Sequence, residues 1–245
     1  MKKAGYQRRS YREHLFAKGL YSAQVVYRET DLQIFSDKPP DVDFCEKRII
    51  LYRAQIEKYI TRDNKFLTSL KPVPVEISAP LIVKRMARSA ELANVGPMAA
   101  VAGAIADFLG RDLLRRGSRE VIVENGGDIF LKLSKTRKIG FYTGARGAWR
   151  SLALKIRPQD TPLGICTSSG TIGHSLSFGA ADSVTILSSS ACLADAAATA
   201  VCNRTVSLQE AEGAIDFAGS IKGVSAAIVI FGKRMFCWGR LEFFR

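Results

Sequence analysis

Polar and apolar positions alternate over residues 19–36 and break at Glu29-Thr30-Asp31, which predicts a β-hairpin. Two prolines between Asp37 and Asp41 predict a turn. Ile49, Ile50, Tyr52, Ile56, Tyr59 and Ile60 then recur at helical spacing, so a helix is expected from about Cys45 to Thr61, with Asp43 as its cap. Residues 71–80 hold three prolines and read as a connector. One helix is expected from Pro80 to Ala93. A second starts at Pro97, whose fixed φ suits the first helical position, and runs to Gly110. The second half is strand-rich. Strands are expected at 119–124, 128–134, 138–143, 151–157, 162–167 and 182–188. Helices at 190–203 and 207–217 and strands at 225–231 and 234–239 complete the chain.

The connections at Asn125-Gly126-Gly127 and Gly232-Lys233 are of hairpin length, which favours antiparallel pairing. Strands and helices do not alternate regularly, so a doubly wound parallel sheet is not expected. The pattern reads as α+β, with mostly antiparallel sheets and helices packed on them. Residues 1–18 form a basic arm and residues 19–245 one domain, with length enough for two lobes.

Composition narrows the function classes. Five cysteines without a CxxC spacing argue against a disulfide framework or a zinc site, and two histidines exclude a multi-histidine metal centre. No uninterrupted apolar run of about 18 residues is present, so no transmembrane helix is expected. The basic N-terminus leads into no apolar signal region, and a cytoplasmic protein without membrane association is expected. The net charge is +13, with basic residues crowding the first ninety positions at Arg8, Arg9, Arg12, Lys47, Arg48, Lys84, Arg85 and Arg88. They form no long block and no RNA-binding signature, so an anionic, phosphate-bearing ligand is a better expectation than nucleic acid.

Four segments carry candidate chemistry. Val95 to Gly103 opens a small-residue helix whose free N–H groups could meet an anion or could simply serve close packing. Val123-Glu124-Asn125-Gly126-Gly127-Asp128 puts two glycines after a strand, which suits either a hairpin turn or backbone approach to a ligand. Gly164 to Gly179 ends a buried strand in Thr167, Ser168, Ser169 and Gly170, whose hydroxyls and amides suit phosphate, followed by His174. His174 can serve as a general acid or base, or as a structural side chain. The fourth segment, Ala191 to Asn203, is an Ala-rich helix with Asp195 and Thr199 one turn apart on one face. Carboxylate and hydroxyl are hard donors suited to Mg²⁺; the alternative is a buried helix with Thr199 bonded back to a carbonyl.

In this order the segments resemble the ApbE superfamily, best known for flavin transferases that use FAD and Mg²⁺ to attach FMN to a threonine of a flavoprotein. The likeness to a cytoplasmic ApbE-like branch runs nearly end to end, through Arg28-Glu29-Thr30-Asp31-Leu32, Val95–Gly103, Val123–Asp128, Gly164–Gly179 and Leu193–Ala200. It implies the tunnelling fold. It implies a Mg²⁺ site at Asp195, Thr199 and the Ala99 carbonyl, with Asn125, Gly126, Gly127 and Asp128 beside a flavin diphosphate. Thr167, Ser168, Ser169 and Gly170 would face phosphate as well. His174 and Asp195 would be the catalytic pair, FAD the cofactor, and an acceptor protein a partner. Here Gly173 and Ser175 flank the histidine, and no Asp-Pro follows it. A protein that keeps this fold and binds a phosphate-bearing ligand without catalysis is the alternative expectation.

Overall fold

The computed structural model describes residues 18–141, 143, 149, 152–170 and 179–244. The first hairpin joins β1 (Tyr21–Tyr27) to β2 (Thr30–Ser36), and Tyr27 pairs with Thr30 across a tight turn. The break therefore falls at Arg28-Glu29, while Thr30 and Asp31 are already strand and buried. Helix α1 (Val42–Arg62) starts earlier than its apolar spacing predicts. Asp41 is its cap, accepting the Phe44 N–H at 3.0 Å, and Asp43 falls in the first turn.

A single turn, α2 (Lys65–Thr68), leads through the proline connector to α3 (Leu81–Ala93). Pro97–Ala100 forms a 3₁₀ turn, and α4 (Val101–Arg115) follows. Gly110 does not end that helix. A Cβ there would lie 2.1 Å from the Phe130 ring, so the glycine lets helix and sheet touch while Leu113 continues the apolar face.

The strand-rich half supplies β3 (Val121–Asn125), β4 (Asp128–Lys132), β5 (Arg137–Gly140), β6 (Ala153–Ile156), β7 (Leu163–Ser168) and β8 (Ser183–Ser188). Helices α5 (Ala191–Arg204) and α6 (Ala211–Ser220) precede β9 (Val224–Phe231), β10 (Arg234–Gly239) and the two-residue β11 (Phe243–Phe244). Among the described residues, all pairing is antiparallel. One sheet runs β1-β2-β3-β4-β7-β8-β9-β10, and a smaller one runs β11-β6-β5. No single helix among these residues is long and apolar enough to cross a membrane.

The central strands of the large sheet are buried on both faces, so they carry nearly continuous apolar runs. Side-chain alternation divides them. Ile34, Val123, Phe130, Cys166, Ile186 and Val229 face the helices. Phe35, Ile122, Leu131, Ile165, Leu187 and Ile228 join Leu154 and Ile156 of the small sheet in a second core. A helix layer and a small sheet thus sandwich the large sheet. This parity decides which polar residues at the strand ends face the helices.

Candidate functional site

Helix α5 is built from small residues because it lies against backbone on two sides. A Cβ on Gly164 of β7 would lie 2.3 Å from the Ala191 Cα, and one on Gly103 of α4 would lie 2.3 Å from the Ala191 carbonyl oxygen. Ser190 caps the helix, its hydroxyl accepting the Leu193 N–H at 3.4 Å. At this range from α4, the Asp195 side chain meets the first turn of its neighbour. Its Oδ2 accepts the Gly103 N–H at 2.8 Å. Burial pushes the Asp195 carboxyl up to about 7, against the lowering effect of the Gly103 and Ala102 amides. Thr199, one turn along, is buried. The 3₁₀ turn that carries the half-buried Ala99 packs against the same helix.

The sheet brings the Asn-Gly-Gly-Asp turn to this helix end. Asn125 and Asp128 pair across it, with φ of +69° at Gly126 and +104° at Gly127. Such a two-residue hairpin needs positive φ at both central positions, which glycine adopts without strain. Asn125 and Asp128 have the parity of the helix-facing side chains, and the Asn125 Nδ2 donates to the Ala102 carbonyl at 3.0 Å. The Gly127 N–H donates to Glu124 Oε1 at 2.8 Å and is engaged within the turn.

Asp128 is buried. Burial first, then the charges of Asp195 and Glu124, hold its carboxyl well above the usual range, against hydrogen bonds from Cys166 and Thr167. No arginine or lysine among the described residues pairs with Asp128 or Asp195.

The hydroxyl-rich strand end divides between the two faces. Ser168 shares the parity of Cys166 and faces the helices. Its hydroxyl is buried and has no hydrogen-bond partner among the described residues. Thr167 takes the other face, where its Oγ1 lies 2.9 Å from Thr185 Oγ1, on the side of the small sheet. Ser169 is half-buried just beyond the strand. The Gly170 N–H donates to the Ala181 carbonyl at 3.0 Å, and a Cβ on Gly170 would lie 2.0 Å from the Gly179 carbonyl oxygen. His174 lies outside the described residues.

Asp195, Thr199, Asn125, Asp128 and Ser168 therefore gather on the helix side of one sheet end, near the first turn of α4. Thr167 does not join them. Sequence reasoning missed the part played by the Gly103 amide and by Asp107, whose carboxylate meets the start of α5. Their signal was a repeated spacing: Gly103 and Asp107 on one helix match Ala191 and Asp195 on the other, each pair one turn apart.

The antiparallel sheet and its helix layer are those of a member of the ApbE-like superfamily. The chain belongs to the family described as AbpE bacteria, whose model matches residues 13–218. A UPF0280 protein of Methanopyrus kandleri is 40% identical over 229 residues, 90% of this chain and 91% of that one. Its counterpart in Methanocaldococcus jannaschii is 38% identical over 226 residues, with 90% and 91% covered. Among solved structures, the flavinyl transferase ApbE of Pseudomonas stutzeri superposes with a TM-score of 0.59 at 13% identity, over 91% of this chain and 95% of that one. The flavin transferase ApbE of Vibrio cholerae gives 0.56 at 14% identity, over 89% and 96%. At these identities the likeness is one of fold.

Proposed function

We propose that the helix-side site binds Mg²⁺ together with a flavin or another phosphate-bearing ligand, and that the protein is an enzyme transferring FMN from FAD to an acceptor protein. One observation carries the metal. Asp128 is buried and Asp195 half-buried, and neither carboxylate has a basic partner among the described residues. Buried negative charge is costly unless paired, and a hard divalent cation is the partner that oxygen donors suit. Asp195, the Thr199 hydroxyl and the Ala99 carbonyl would hold it. When bound, Mg²⁺ neutralises diphosphate charge and polarises the P–O bond that breaks.

The protein's own groups supply the rest. The Asn125–Asp128 turn, tied to α4 through Asn125, presents a glycine backbone that a diphosphate can approach closely. The unpartnered Ser168 hydroxyl is a donor for a phosphate oxygen. Removal of the acceptor's proton falls to Asp195 or His174. The free thiols of Cys45, Cys166, Cys192, Cys202 and Cys237 suit a reducing compartment, and the cytoplasm is the proposed location.

A second reading, binding without turnover, draws support from the surroundings of His174, which is flanked by Gly173 and Ser175 with no Asp-Pro after it. Calorimetry with FAD and FMN, with and without Mg²⁺, tests the proposal. Mg²⁺-dependent FAD binding that Asp195→Ala abolishes is the expected result. Flavin binding indifferent to both Mg²⁺ and Asp195 overturns the site. Binding without FMN transfer to any flavoprotein acceptor favours the second reading.

A further inference from the structure

Helices α4 and α5 cap each other. Asp195 of α5 accepts the Gly103 N–H in the first turn of α4 at 2.8 Å. Asp107 of α4 accepts the Ala191 N–H that opens α5 at 3.0 Å, and the Ser190 hydroxyl at 3.0 Å, all on Oδ2. The other Asp107 oxygen holds Arg111 Nε. Asp107 is 3% exposed, so its bonds are protected from competing water. The pairings run in opposite directions along the two helices, 103 with 195 and 107 with 191. Between them a Cβ on Gly103 would lie 2.3 Å from the Ala191 carbonyl and 2.7 Å from the Asp195 Cβ. With backbone in contact, neither helix can slide or rotate without breaking both caps.

We propose that Asp107 is a positioning residue for Asp195. By holding the first residue of α5, it sets the height and rotation of the carboxylate one turn later. It thereby keeps Asp195 on the Gly103 amide with its ligand face turned to the site. The functional consequence rests on the reading of Asp195 as a cation ligand; the positioning itself does not.

Two readouts separate these. The first is amide hydrogen exchange by NMR, comparing Gly103 with Val229, a fully buried amide in the middle of β9. The second is Mn²⁺ affinity by electron paramagnetic resonance. Asp107→Leu removes the acceptor, whereas Asp107→Asn keeps one oxygen for Ala191 and Ser190. In Asp107→Leu, Gly103 exchange should rise about tenfold or more while Val229 stays protected, and Mn²⁺ affinity should fall about tenfold, as for other groups that orient a ligand. Asp107→Asn should restore both.

Unchanged Gly103 exchange in Asp107→Leu overturns the proposal. Equal acceleration at Gly103 and Val229 overturns it too, because the residue is then merely structural. Failure of Asp107→Asn to rescue does the same. If Asp107→Leu does not fold, Ser190→Ala, which removes one of the bonds on Oδ2, should shift Gly103 in the same direction; no shift again overturns the proposal. A wild-type protein that takes up no Mn²⁺, while Gly103 responds as expected, removes the cation reading and supports the positioning.

Discussion

Asn125 reaches from the end of a β-strand to the carbonyl of Ala102, 3.0 Å away in the first turn of α4. This one side chain fastens the glycine turn to the helix whose amides receive Asp195. Asn125→Ala should lose about 1 kcal/mol of stability from the broken bond, and more if the Ala102 carbonyl finds no other donor. Urea denaturation measures it. Calorimetry on the same variant should show weaker nucleotide binding, because the turn is no longer held against α4.

The close approach of α4 and α5 separates two glycines that look alike in sequence. Gly103→Ala sets a methyl group against the Ala191 carbonyl and should destabilise by about 1–3 kcal/mol. Gly213→Ala in α6 meets no atom within 4 Å and should stabilise by about 0.5–1 kcal/mol, since alanine is the better helix former. Thermal melts of the two variants should move in opposite directions.

Ser168 and Thr167 are neighbours with different prospects. The buried Ser168 hydroxyl has no partner among the described residues, so Ser168→Ala should raise the stability of the ligand-free protein by about 1 kcal/mol and weaken phosphate-ligand binding. Thr167→Val breaks the bond to Thr185 on the opposite face. It should cost about 1 kcal/mol and leave ligand affinity unchanged. Equal loss of affinity in both variants would contradict the facing of this strand end.

Away from the site, Arg137 and Glu120 form an ion pair with side chains 8% and 2% exposed, and Ser134 adds a bond to the same carboxylate. Arg137→Ala should cost about 3–5 kcal/mol, because it strands a buried charge. Replacing both partners by apolar residues should cost less than the single change. Chemical denaturation of the single and double variants decides.

Asp37 predicts a pH dependence. Burial opposes its charge, but the Glu120 and Arg119 amides, donating at 3.1 and 2.9 Å, outweigh burial and hold its carboxyl below the usual range. A group depressed in the folded state contributes stability above its unfolded pKa, and loses that contribution as pH falls through the folded value. The stability gap between wild type and Asp37→Ala should therefore be full at neutral pH and narrow in acid, as denaturation across that range would show.

Most elements were legible because apolar periodicity records which side of a strand or helix is buried. The exceptions have physical reasons. The single turn of α2 and the two-residue β11 are too short to carry a period. Strands β5 and β6 read like the other strands, yet with β11 they form a separate sheet, because only packing decides which edge a strand finds. The apparent stop at Gly110 belonged to a contact with Phe130, distant in sequence.

The candidate site divides in the same way. Spacing by itself put Asp195 and Thr199 on one face of a small-residue helix and two glycines in a hairpin turn, since both are properties of local geometry. Tertiary structure alone decided that Asp195 would sit on the Gly103 amide, that Asp107 would return the bond at Ala191, and that Thr167 would turn away while Ser168 stayed. Those outcomes depend on which backbones come into contact and on which face of the large sheet the helices cover. Local spacing can place the partners on matching helix faces but cannot bring the helices together, because contact between α4 and α5 is settled only when the whole sheet is in place.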